Sequence, residues 1–138
     1  MSDEPQEFRL LPEVTPETEH FWRGGERGEL VFLRCTDCGT YVHPPAPVCP
    51  SCLGRSLKPE PVSGKGTVYT FTVNHQKWNP TVPTPYVIAV VELDEQPGLR
   101  LTTNIVDCPP DDVKIGMRVA VKFLHLEDVW LPLFAPEA

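Results

Sequence analysis

Arg34-Cys35-Thr36-Asp37-Cys38-Gly39 and Cys49-Pro50-Ser51-Cys52-Leu53-Gly54 decide the reading of this chain. Each segment holds a C-x₂-C pair, and ten residues separate the pairs. Two thiolates at that spacing fold back onto one ion, because the backbone between them turns tightly. A glycine just after each pair is expected to supply the left-handed conformation of the turn. Two such knuckles complete a tetrahedral S₄ shell with no open position. Soft thiolates suit zinc, or iron as in a redox site. The knuckles lie close together and no other redox feature accompanies them, so the expected cofactor is a structural Zn²⁺ held by Cys35, Cys38, Cys49 and Cys52. A closed Cys₄ site has no bound water to activate, so it holds a lobe together and performs no hydrolysis.

The rest of the composition narrows the class. A chain of 138 residues makes one or two small domains, and a lobe of about 40 residues or fewer needs a metal, disulfides or a partner to fold. The net charge is -7, with only 12 Lys plus Arg, which is poor material for gripping phosphates. Met1–Gln6 is acidic and polar, unlike a signal peptide, and no apolar run is long enough to span a membrane. A cytoplasmic setting with reduced thiols is expected, so the cysteines read as ligands before disulfides. Proline is frequent, 17 of 138, which favours extended and turn structure over helix.

Outward from the knuckles, Thr15-Pro16-Glu17 looks like a helix start and Gly24-Gly25 a stop. The helix would run two to three turns, too short to stand alone. Its aromatics Phe21 and Trp22 therefore need a surface, either this chain's own body or another protein. Residues 29–34 form a short apolar strand leading into Cys35. Residues 53–63 read as a linker, because Pro59 and Pro61 oppose regular structure. Beyond Gly64 the period changes to two. Tyr69, Phe71 and Val73 share a face, Tyr86 to Leu93 is a near-continuous apolar run, and alternating strands cover 99–105 and 119–123. A last strand, 129–134, is interrupted by Pro132 and so is expected at an edge or a bulged end. The expected fold is mainly β: a short N-terminal helix, a rubredoxin-like Cys₄ zinc ribbon, then a five-stranded OB-fold barrel, with a small SH3-like barrel as the alternative. The expected units are an extension and helix at 1–28, the ribbon at 29–60 and the barrel at 61–138.

Other candidates carry less. Cys108 ends a strand and has no base beside it in sequence. His43 sits in a Pro-rich segment between the knuckles, expected as a surface turn. His75, Lys77 and Trp78 open a Pro-flanked loop, where Trp78 is either an interface anchor or a lid on the barrel. No catalytic residue is expected.

One ordered series ties these pieces together. It runs His20-Phe21-Trp22, Gly28-Glu29-Leu30, Arg34-Cys35-x-x-Cys38-Gly39, Pro44-Pro45 and Cys49-Pro50-x-Cys52. It continues with Ser63-Gly64-Lys65-Gly66-Thr67-Val68-Tyr69, Pro85-Tyr86-Val87-Ile88-Ala89, Ile115-Gly116-Met117-Arg118-Val119 and Leu131-Pro132-Leu133-Phe134. The series resembles the zinc-ribbon plus OB-fold proteins of acyl-CoA metabolism, long known as a domain of unknown function. The resemblance covers roughly residues 12–136. It implies a non-catalytic accessory subunit, in a hetero-oligomer with a thiolase-like enzyme that carries the catalytic groups. It further implies acyl-CoA at the shared site, and retro-aldol cleavage of a steroid side-chain CoA thioester as one such reaction. In that setting a similar domain is joined to a MaoC-like hydratase. Phe21, Trp22 and Trp78 are the residues expected to meet the partner. A nucleic-acid-binding OB protein is the alternative function. It would need a basic groove with stacking aromatics, and the predicted strand faces offer only Lys65, Arg100 and Lys122.

Overall fold

The computed structural model describes residues 10–137; the acidic stretch Met1–Gln6 lies outside them. Among the described residues, the chain runs through one short helix, α1 (Glu19–Arg23), two 3₁₀ turns (Gly24–Arg27 and Pro110–Asp112) and eight strands. The ribbon sheet has the order β2-β1-β3, from β1 (Leu30–Cys35), β2 (Tyr41–Val42) and β3 (Leu57–Val62). The closed barrel has the order β4-β5-β6-β8-β7, from β4 (Lys65–Asn74), β5 (Tyr86–Leu93), β6 (Arg100–Ile105), β7 (Arg118–Leu126) and β8 (Val129–Pro136). That closure, with the last strand inserted between the third and fourth and parallel to the third, is the OB arrangement. Among the described residues, no helix is long and apolar enough to cross a membrane.

The helix is shorter than expected. Pro16 to Thr18 form a turn, with Thr18 and Glu19 N–H donating to Thr15 O, and α1 starts only at Glu19. α1 ends at Arg23 with Gly24 as its C-cap, as expected of Gly24-Gly25, and the chain passes directly into the first 3₁₀ turn. The left-handed Gly28 (φ 72) closes that turn by donating to Gly24 and Gly25 carbonyls. Gly25 is there for space. A Cβ at this position would collide with Trp130 Cβ and lie 2.7 Å from Phe123 Cδ1, so the turn rests directly on the β7–β8 hairpin. Gly25→Ala is expected to push the turn off the barrel at a cost of about 1–3 kcal/mol, read as a lower denaturation midpoint. An unchanged midpoint would mean the contact is not packed.

The segment expected as a linker contains a strand. β3 pairs antiparallel with β1 over its whole length, from Leu30 opposite Val62 to Cys35 opposite Leu57. Pro59 and Pro61 are two apart, so their missing N–H groups fall on the same side. β3 is an edge strand, and that side faces away from β1.

In the barrel, a bulge in β4 between Val68 and Thr70 breaks the expected alternation. Val68 goes into the core at 1% exposure, and Tyr69 turns out at 47%, with the Arg100 guanidinium 3.8 Å from its ring centre. Pro132 is buried in β8, not at a frayed end. Its carbonyl turns toward β6, where it accepts a 2.7 Å hydrogen bond from the buried Thr103 hydroxyl.

One apolar core runs through both lobes. Phe21, Leu30 and Phe32 from the ribbon side join Val68, Val87, Val91, Val119 and Phe134 of the barrel. A side chain closes the joint. Gln96 Oε1 accepts from Tyr41 N–H at 2.9 Å, and Gln96 Nε2 donates to Tyr41 O at 3.1 Å, so the barrel's 94–98 turn pairs with the ribbon as a strand would.

Candidate metal centre

The two knuckles are built alike. Gly39 N–H donates to Cys35 O, and Leu53 N–H donates to Cys49 O, both at 2.8 Å. Each chain reversal aims a pair of sulfurs at one point. The first reversal uses a left-handed glycine, Gly39 (φ 80), as expected. The second uses Leu53 (φ 62), not Gly54. Gly54 serves close approach instead: a Cβ there would lie 2.9 Å from Asp37 Oδ2 and 3.2 Å from Cys52 Sγ. Arg34 braces the first knuckle, donating from Nε to Gly39 O at 2.9 Å and from Nη1 to Glu60 Oε2 at 3.3 Å.

The four sulfurs of Cys35, Cys38, Cys49 and Cys52 all lie within 4.8 Å of one another. Cys35 to Cys52 and Cys38 to Cys49 are each 3.6 Å. Zinc–sulfur bonds of about 2.3 Å in a tetrahedron set the sulfurs about 3.8 Å apart, so the cluster has the size of a metal site. Its electrostatics point the same way. Hydrogen bonding at Thr40, hydroxyl and backbone, pulls the Cys38 thiol down to about 6. Cys52, despite the Gly54 N–H, is pushed up to about 12 by the sulfurs of Cys35 and Cys38. Four crowded sulfurs cannot all ionise until a cation neutralises them. Cys35 and Cys49 are fully buried, while Cys38 and Cys52 face outward. Cys108 lies apart, packed at the edge of the barrel core, and burial raises its thiol pKa.

The aromatic candidates separate. Phe21 takes one of the two hosts expected for it, this chain's own body. It is 5% exposed, packed in the chain's own core against Phe32 at 5.9 Å and against the His43 ring at 4.8 Å. Trp22 is half-buried beside it and lines a shallow apolar groove with Leu11, Val82, Tyr86, Ile88 and Leu131. Trp78, next to that groove in sequence, is 77% exposed and covers no barrel mouth. His43 is not a surface turn but a half-buried ring in the joint between α1 and β1. Its burial was invisible in sequence, because the Pro-rich context suggests a turn at the surface. His75 stays exposed.

Two family models match consecutive stretches of the chain. The family model described as ChsH2, rubredoxin-like zinc ribbon domain, matches residues 22–58. The one described as ChsH2, C-terminal OB-fold domain, matches 59–124. A DUF35 domain-containing scaffold protein of Methanocaldococcus jannaschii is 43% identical over 75% of this chain and 73% of its own length. A probable enoyl-CoA hydratase alpha subunit of Thermomonospora curvata is 36% identical over 96% of this chain, which spans only 41% of that protein. The benzoylsuccinyl-CoA thiolase subunit BbsA of Thauera aromatica is 32% identical over 62% of this chain and 57% of its own. Among solved structures, a chain of the Ltp2-ChsH2(DUF35) aldolase superposes with a TM-score of 0.82 at 36% identity, covering 91% of this chain and 98% of that one.

Proposed function

Because this chain belongs to the DUF35 family of ChsH2-type zinc-ribbon and OB-fold proteins, we propose that it is a non-catalytic accessory subunit of a thiolase-superfamily enzyme that acts on acyl-CoA. The observation that carries this reading is the near end-to-end likeness to the chain of the Ltp2-ChsH2(DUF35) aldolase. The likeness to a benzoylsuccinyl-CoA thiolase subunit supports the same class of partner. Within that class, the reaction we favour is retro-aldol cleavage of a steroid side-chain CoA thioester, with this subunit helping to position the CoA substrate.

The metal of the ribbon is a structural Zn²⁺ on Cys35, Cys38, Cys49 and Cys52. Zinc fits the all-thiolate donor set and the sulfur spacing, and in a closed shell it supplies cross-linking rather than Lewis-acid chemistry. The ribbon at 29–60 and the barrel at 61–138 then form a rigid body. That body presents Trp22 and Trp78 beside the apolar groove to the partner.

The test is affinity capture of the tagged chain from its native cell, with the bound proteins identified by mass spectrometry. Retro-aldol activity is then assayed with the reconstituted pair and a steroid acyl-CoA. A thiolase-superfamily protein in stoichiometric amount is expected. Recovery of the chain alone, or bound to nucleic acid, would overturn the reading.

A further inference from the structure

His43 leaves the segment between the knuckles and enters an aromatic joint. Its ring stacks on Phe32, with centroids 4.6 Å apart and planes at 23°, and meets Phe21 edge-on at 4.8 Å. Phe32 is fully buried and Phe21 nearly so. Among the described residues, His43 Nδ1 is buried with no hydrogen-bond partner, and the same is true of His20 Nε2 on α1. The His43 ring therefore closes the joint, and His20 lies near enough for its charge to act on it.

We propose that the His20–His43 pair makes the seating of α1 on the ribbon acid-sensitive: a proton on His43 expels its ring from between the two phenylalanines and loosens α1.

Among the described residues, no carboxylate is found to favour the charged form of His43. α1 carries Glu19 and Arg23, which pair with each other at 4.0 Å. β1 carries Arg34, which is committed to Glu60, Gly39 O and the Tyr41 ring. Glu17, Glu26, Arg27 and Arg55 border the surface beside His20. Burial acts first on His43 and the charge of His20 second, and both favour the neutral ring, holding it down at about 4. Burial lowers His20 as well. An undocked His43 would titrate near its ordinary value of about 6.5. Its seating is thus fully favoured above pH 6.5 and is lost as pH falls toward 4. Full linkage between those values would shift the open-to-closed ratio about 30-fold by pH 5; discounted for the ring's partial exposure, about tenfold is expected. Phe21 also touches Trp22, at 4.7 Å between ring centres, so loosening α1 disturbs the groove. Weaker partner binding in acid would follow, and that consequence alone rests on the function proposed above.

The test uses the isolated full chain with metal bound. Hydrogen exchange over residues 18–28, corrected for intrinsic rates, is compared at pH 7.5 and 5.0 in the native chain and in His43→Phe, with metal content measured at each pH. The native chain is expected to lose about tenfold more protection than the variant while retaining its metal. Equal losses in both, or losses that track metal release, would overturn the proposal. A second measurement needs no variant: the His43 imidazole should titrate below pH 5 by NMR, and titration near 6.5 would equally overturn it.

Discussion

Cys49→Ser is expected to empty the metal site and unravel the ribbon. Elemental analysis should fall from about one zinc per chain to near zero, and amide protection should vanish over β1, β2 and β3. The reason lies in how little else holds that lobe. Its own core consists of Cys35, Val42 and Cys49, with Leu33, Ala46 and Leu57 packed around them, so two of the three buried residues are ligands. β2 has only two residues, and β3 is a proline-bearing edge. Structural zinc in finger-sized peptides contributes about 10–16 kcal/mol, as much as the whole net stability of an ordinary domain. The barrel closes on itself and keeps most of its core, so β5 and β6 should stay protected. It should not escape entirely. Leu30 and Phe32 belong to the shared core, and Gln96 holds Tyr41 only two residues past Gly39. The 94–98 turn should therefore exchange faster and the barrel's midpoint should drop. A ribbon that keeps its protection without metal would overturn this account. Iron in the freshly purified protein would overturn the zinc assignment.

What the sequence made legible follows from what is local. The C-x₂-C pairs state their own geometry, because the turn lies between the ligands. The barrel strands show as period-two runs long enough to stand out. What was not legible depends on register and docking, which no short window contains. Pro59 and Pro61 read as strand breakers until β1 is seen to pair on the side they leave free. Tyr69 reads as sharing a face with Phe71 and Val73 until a bulge shifts the register and puts Val68 inside. Leu53 in the left-handed region has no sequence signal, since any rule would have chosen Gly54. His43 and Phe21 find each other across more than twenty residues, and neither segment hints at the other. The four clustered cysteines were thus legible from spacing alone, whereas the structure was needed to separate buried aromatics from exposed ones.

That separation gives the second large effect. Phe21→Ala should destabilise the isolated chain by about 3–5 kcal/mol, since it empties a site bounded by Phe32, His43 and Trp22. Trp78→Ala should leave the chain's own stability within about 0.5 kcal/mol, because the ring is 77% exposed and packs on little. If Trp78 anchors the partner, the same substitution removes about 2 kcal/mol of binding, which is roughly a 30-fold loss of affinity. Trp22→Ala should show both effects in reduced form, as a half-buried ring that also lines the groove. Denaturation midpoints and partner affinities measured on the three variants therefore place each residue on one of two axes. Phe21 should move stability alone, once affinity is corrected for the folded fraction, and Trp78 affinity alone. Unchanged affinity in Trp78→Ala would remove that loop from the interface. A Phe21→Ala chain that melts normally yet fails to bind would mean that its ring leaves the core when the partner arrives.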